Sequence, residues 1–279
     1  MALDFIGILK VIFLGIVEGI TEWLPISSTG HMLLVDEFIP LQMSESFKEM
    51  FFYVIQLGAI IAVPVIFWNK MFPFNFTDKT KPVINKDIFS MWFKVLVAII
   101  PSAILGLLFD DMVEEYFGTP LTISLMLIIY GIAFIIIEKI NRNKKPRVST
   151  IEEITYPLAF IIGLFQVLSM LPGTSRSGAT IIGALIFGAS RTAAAEFTFF
   201  LALPTMIGAS LIKLLKFGFQ FTGTEIFVLL LGMAVAFIVS IIAIRFLMDY
   251  VKRHDFKLFG IYRIILGALI ILLLIAGIL

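Results

Sequence analysis

The segment Val17-Glu18-Gly19-Ile20-Thr21-Glu22-Trp23-Leu24-Pro25-Ile26-Ser27-Ser28-Thr29-Gly30-His31 sets two carboxylates, a row of hydroxyls and an imidazole inside an apolar run from Phe5 to Val35. A second island, Pro172-Gly173-Thr174-Ser175-Arg176-Ser177-Gly178-Ala179-Thr180, interrupts another apolar run. Both contain proline and glycine, so both break a helix near its middle. Broken backbone at membrane depth survives only where protein or a cavity satisfies its polar groups, and ionisable groups there have work to do. The pattern predicts two re-entrant helix–loop–helix hairpins, at 5–38 and 156–190. Acids and a histidine in one, and an arginine among serines in the other, equip an intramembrane phosphate site.

Composition supports the membrane setting. Hydrophobic residues make up 60% of the 279 and charged residues 15%, against about 45–50% and about 25% in soluble domains. A net charge of +1 without a basic stripe gives no reason to expect a nucleic-acid partner. The lack of cysteine excludes disulfides, thiolate zinc sites and cysteine nucleophiles. Asp4 before the first run and Lys10 within it argue against a cleaved signal peptide.

Six further apolar runs, at 49–68, 88–109, 119–138, 195–216, 224–248 and 259–279, are long enough to span. With these six, thirteen loop cations fall on one side: Lys70, Lys79, Lys81, Lys86, Lys139, Arg142, Lys144, Lys145, Arg147, Arg191, Lys252, Arg253 and Lys257. Lys10, Lys48, Lys213 and Lys216 fall on the other. The positive-inside rule then puts both termini outside, together with an acidic turn at Asp110–Glu115. Counting either hairpin as a span spoils this split.

The islands also echo each other. Gly15-Ile16-Val17-Glu18 and Leu24-Pro25-Ile26-Ser27-Ser28 match Gly163-Leu164-Phe165-Gln166 and Leu171-Pro172-Gly173-Thr174-Ser175. Counted from the prolines, Glu22 aligns with Ser169 and Ser28 with Ser175. One hairpin and three spans in each half, 1–150 and 151–279, make an inverted-topology repeat whose hairpin tips meet near the midplane. The expected fold is thus an all-α polytopic membrane protein.

Glu18 and Glu22, four residues apart, share a helical face. A divalent cation or an arginine would keep both ionised; helix–helix hydrogen bonding is the plainer alternative. Any of Ser27, Ser28 and Thr29 can cap the second half-helix. Ser28 and His31 share a face, a spacing that suits a nucleophile and its proton carrier. Arg176 offers a planar fork to phosphate oxygens, or pairs with Glu18 or Glu22. Ser175, Ser177 and Thr180 add hydroxyl donors where a half-helix begins. Arg245 and Arg263 lie nearer span ends, positions from which arginine snorkels.

At these islands the chain resembles the undecaprenyl-diphosphate phosphatase family, the bacitracin-resistance type of bacterial membrane enzyme. Glu18-Gly19-Ile20-Thr21-Glu22, running on to His31, is similar to the family's glutamate motif, and Pro172-Gly173-Thr174-Ser175-Arg176-Ser177 to its arginine motif. Gln56–Ile60 and Ala202–Met206 are also similar. The resemblance implies hydrolysis of undecaprenyl diphosphate to undecaprenyl phosphate and inorganic phosphate, which recycles the carrier for cell-wall synthesis. It also implies a divalent cation (Mg²⁺ or Ca²⁺), an inverted-repeat fold, and a multi-pass protein of the bacterial plasma membrane with its site facing outside.

On that reading Ser28 attacks the terminal phosphorus, His31 shuttles the proton, Arg176 stabilises the transferring group, and Glu18 with Glu22 holds the cation or orients His31. Ser27, Thr29, Ser175, Ser177 and Thr180 join Glu18 in binding substrate. The expected partners are the polyprenyl diphosphate and the bilayer, and a homodimer is open to a chain of this size. The competing reading is a transporter or flippase of a polyprenyl phosphate lipid, since broken helices in inverted repeats are also a transporter's architecture.

Overall fold

The computed structural model describes residues 4–75, 83–218 and 220–279; Lys79 and Lys81, counted among the loop charges, lie outside them. The described residues are helical throughout, with two isolated β-bridges and no sheet. The helices are α1 (Phe5–Thr21), α2 (Ser28–Phe38), α3 (Glu45–Met71), α4 (Lys86–Phe117), α5 (Pro120–Asn141), α6 (Tyr156–Val167), α7 (Arg176–Ile186), α8 (Arg191–Phe217), α9 (Gly223–Val251) and α10 (Lys257–Ile275), with one 3-10 turn at Leu168–Met170. Six of them, α3, α4, α5, α8, α9 and α10, are long and apolar enough to cross a membrane. These are the six expected spans.

Their starts are chemically marked. Ser44, Asn85, Thr119, Ser190 and Thr222 cap α3, α4, α5, α8 and α9 with side-chain oxygens, and Thr222 with Glu225 forms a capping box. One boundary differs from expectation. The acidic stretch Asp110–Glu115 is not a turn but the last turns of α4, which continues to Phe117. Acids are unfavourable near a helix C-terminus, and lysines from α8 offset them. Lys213 reaches Glu114 at 2.9 Å and Glu49 at 2.8 Å, and Lys216 reaches Asp111 at 2.6 Å.

Packing crosses between the two halves of the chain. Helix α1 lies against α9 and α6 against α4, while α5 pairs with α10 and α3 with α8 and α9. The α5–α10 pair is close because glycine faces glycine. A Cβ on Gly131 would sit 2.6 Å from the Gly260 carbonyl oxygen, and one on Gly260 2.6 Å from that of Gly131. At one end of the α3–α8 pair Lys70 bonds Glu196 at 2.8 Å; at the other, Lys213 bonds Glu49. The four short helices α1, α2, α6 and α7 bring their connecting loops into this frame.

Candidate active site

Helix α1 ends at Glu22, whose N–H still donates to the Glu18 carbonyl at 3.0 Å. Pro25 has no N–H with which to continue it. Trp23 anchors the turn: it is fully buried, edge-on to Phe199 of α8 with ring centroids 5.3 Å apart. Helix α2 starts from Ser27, which has φ +73° and whose Oγ accepts from the Gly30 amide at 3.4 Å.

The second loop repeats this arrangement. Ser175 has φ +67° and its Oγ accepts from the Gly178 amide at 3.2 Å, starting α7. Ser27 and Ser175 are the non-glycine residues with positive φ among those described. Such a conformation costs about 1–3 kcal/mol and persists where the surroundings enforce it, often at functional sites. Two sequence expectations change here. Gly30 and Gly178 do not break the helices; they lie inside α2 and α7 and donate to the caps. Ser175 corresponds to Ser27 and not Ser28, because nine residues separate Glu18 from Ser27 and Gln166 from Ser175 alike, while the proline sits one place earlier in the second loop. Gly173, at φ +91°, stands where the first loop has Pro25, and any Cβ there would collide with the Ile123 carbonyl.

By this register Ser28 and Arg176 are each the first residue of their helix, and both reach one carboxylate. Ser28 Oγ donates to Glu22 Oε2 at 3.0 Å, and Arg176 Nη2 donates to Glu22 Oε1 at 3.0 Å. The ion-paired side chains are only 11% and 9% exposed, so the pair is strongly coupled across the two loops. Arg176 Nη1 donates to the Thr198 carbonyl at 3.0 Å, and Nη2 also touches Met206 Sδ at 3.6 Å. Ser177 Oγ donates to the Glu22 carbonyl at 3.3 Å and lies 3.1 Å from Ser175 Oγ. Thr180 Oγ1 donates to the Arg176 carbonyl at 3.0 Å and lies 2.8 Å from Thr198 Oγ1.

Arg176 Nε and Glu18 Oε1 belong to the buried side-chain atoms of this region with no hydrogen-bond partner among the described residues. A spare guanidinium donor suits a phosphate oxygen, and a spare carboxylate oxygen suits a hard cation. No group of three or more His, Cys, Asp or Glu that could hold a metal occurs among the described residues. Two carboxylates completed by substrate oxygens remain a fitting donor set for Mg²⁺.

His31 stands apart from Ser28. Its Nδ1 lies 2.7 Å from the Ser27 carbonyl, which can only accept, so Nδ1 carries the proton. Nε2 then accepts from the Tyr262 hydroxyl at 2.7 Å. Both ring nitrogens are engaged, and the expected Ser28–His31 hydrogen bond is absent. Thr29 is exposed and also lies outside the hydrogen-bonded cluster.

Arg263 overturns its expected snorkelling. It is fully buried, and its guanidinium donates to the carbonyls of Pro25 (3.2 Å) in the first loop and of Gly173 and Thr174 (2.9 Å each) in the second, as well as Leu127 (3.4 Å) on α5. It thereby fixes one loop tip to the other. An arginine within an apolar run was the available signal. Nothing in the sequence marked Thr198, which meets Arg176 through its backbone carbonyl.

Known proteins match this chain along nearly its whole length. The family model described as bacitracin resistance protein BacA matches residues 11–269. An undecaprenyl-diphosphatase of Enterococcus faecalis is 67% identical over 98% of this chain and 99% of its own length. Proteins of the same name from Lachnoclostridium phytofermentans and Acetivibrio thermocellus are 62% and 59% identical, each over 96% of this chain and 97% and 98% of their own lengths.

Proposed function

The chain belongs to the bacitracin resistance protein BacA family, and from that membership we propose that it hydrolyses undecaprenyl diphosphate to undecaprenyl phosphate and inorganic phosphate at the junction of its two loops. The observation that carries the site assignment is the meeting of Ser28 and Arg176 on the two oxygens of Glu22. A nucleophile, its proton acceptor and a phosphate-binding cation are thereby held together in a buried place.

Ser28 Oγ attacks the terminal phosphorus, and its proton passes to Glu22, to which it already donates. The Oγ–P bond forms as the phosphoanhydride P–O bond breaks, releasing undecaprenyl phosphate; water then cleaves the phosphoserine and frees phosphate. Arg176 exchanges Glu22 for the phosphoryl oxygens, and Nε adds a donor. Charge neutralisation and positioning of this kind supply most of the catalysis in phosphoryl transfer. His31 holds the Ser27 carbonyl and so the strained turn ahead of Ser28, its ring fixed by the Tyr262 hydroxyl that donates to Nε2. Ser175, Ser177 and Thr180 hold the start of α7. Glu18 and Glu22 would bind Mg²⁺ or Ca²⁺, which neutralises phosphate charge when present.

The same reading includes the finer architecture: re-entrant hairpins in an inverted repeat of halves 1–150 and 151–279, and a site open to the outer face of the bacterial plasma membrane. The matching serine caps, and the exchange of packing in which α1 meets α9 while α6 meets α4, support it. The test is phosphate release from undecaprenyl diphosphate by the purified, detergent-solubilised protein, with and without a chelator, beside Ser28→Ala. Release that needs the cation and Ser28 is expected. Near-full activity of Ser28→Ala would replace serine by water as nucleophile, and no release by folded protein would overturn the enzymatic reading.

A further inference from the structure

Away from the loops, a cavity of about 450 Å³ opens where the α5–α6 linker, the α7–α8 turn and the end of α9 meet. Its size falls in the range of about 300–1,000 Å³ usual for ligand sites. Six cations line it: Arg142, Lys144, Lys145, Arg147, Arg191 and Lys252. The lining acid, Glu138, is buried and already taken. Its Oε1 accepts from Arg191 Nε at 2.9 Å and from the Phe256 amide at 3.0 Å, and Oε2 accepts from Arg191 Nη2. Lys252 pairs with Asp249 at 2.9 Å. Arg142, Lys144, Lys145 and Arg147 have no ion-pair partner among the described residues and lie on one short linker.

Four like charges so close would spread apart if free. The linker is instead stapled to the α7–α8 turn. Arg147 N and Val148 N donate to the Gly188 carbonyl at 2.8 and 3.2 Å, Ser190 N donates to the Val148 carbonyl at 2.7 Å, and Asn141 Nδ2 donates to the Leu185 carbonyl at 2.9 Å. Setting membrane orientation requires cations in a loop, but not a walled cavity that gathers them. Ile186 and Phe187 on the lining are 47% and 44% exposed, which gives the cationic cavity an apolar lip.

We propose that this cavity binds the phosphate head group of an anionic phospholipid, with the acyl chains leaving over Ile186 and Phe187. A free phosphate would use the cations but not the lip, whereas a basic pocket between helices on the cation-rich face suits an acidic lipid. Helix α7 runs from Arg176 at the candidate active site to Ile186 at this lip.

The test titrates the purified full-length protein with phosphatidylglycerol or phosphatidylcholine and counts retained lipids by native mass spectrometry. Phosphatidylglycerol is expected to bind preferentially, and Lys144→Ala/Lys145→Ala to weaken it roughly tenfold or more. The single Lys144→Gln should weaken it roughly fivefold, a graded check should the double variant fold poorly. Lys86→Ala/Arg253→Ala, which removes two cations outside the lining, should leave binding unchanged. An equal loss in that control pair would mean a diffuse field and overturn the site. Inorganic phosphate displacing the lipid at matching concentrations would overturn the lipid assignment in favour of a free anion.

Discussion

In the first hairpin the residue after the strained serine is Ser28; in the second it is Arg176. Around them the backbone is nearly the same: positive φ at the serine, its hydroxyl on an amide three residues later, and a helix beginning in between. The side chains are not the same. One turn before the first loop stands Glu18, with an oxygen that no hydrogen bond satisfies. At the matching place before the second loop stands the uncharged Gln166, whose Oε1 is likewise unpaired among the described residues but whose amide nitrogen donates to Ser102 at 2.6 Å and Thr205 at 3.4 Å. One backbone device occurs twice, and on the proposed reading one loop carries the acid and nucleophile and the other the phosphate-binding cation. On that reading neither loop alone carries a complete site, so the chemistry depends on their contact.

The sharpest way to break that contact is Arg176→Ala. Phosphate release should fall by roughly 10²–10³-fold, as when one transition-state donor is removed elsewhere, with folding followed by thermal unfolding in detergent. Arg263→Leu attacks the frame and not the chemistry. Leaving buried carbonyls of both loops unpaired should cost about 3 kcal/mol or more, read as a lowered unfolding temperature together with lost activity.

Glu18→Gln makes the first loop resemble the second at the position of Gln166. Activity should fall roughly tenfold or more and lose its sensitivity to chelator; unchanged chelator sensitivity would remove Glu18 from the cation site. The smallest effect tests the shared backbone. Ser175→Ala should destabilise by ~1 kcal/mol through the lost cap, whereas Ser175→Gly, free to adopt φ +67°, should stay closer to the parent in thermal unfolding.

Much of this was readable from the chain. The six long helices follow from hydropathy, and the breaks between α1 and α2 and between α6 and α7 from proline amid hydroxyls. The Glu22–Arg176 pairing was one of two options that a buried arginine allows. What escaped did so for physical reasons. Counting from the prolines fails because the proline itself has moved by one place between the loops, so such a count aligns Ser28 with Ser175 and not Arg176. The Ser28–His31 pairing assumed that sharing a helix face means touching, but Tyr262 and the Ser27 carbonyl take the imidazole first. Distance along the helix from the nearest end, which predicts snorkelling for Arg263, says nothing about what packs around it. Thr198 acts on Arg176 through a carbonyl, a group every residue has.

Arg263 grips the loops wholly through main-chain oxygens, at Pro25, Gly173 and Thr174. The side chains of Pro25 and Thr174 take no part in that grip, whereas Gly173 must stay glycine because any Cβ would meet the Ile123 carbonyl. Sequence drift at the other two positions can leave the frame standing, and much of its vulnerability is concentrated at a single codon on a different helix.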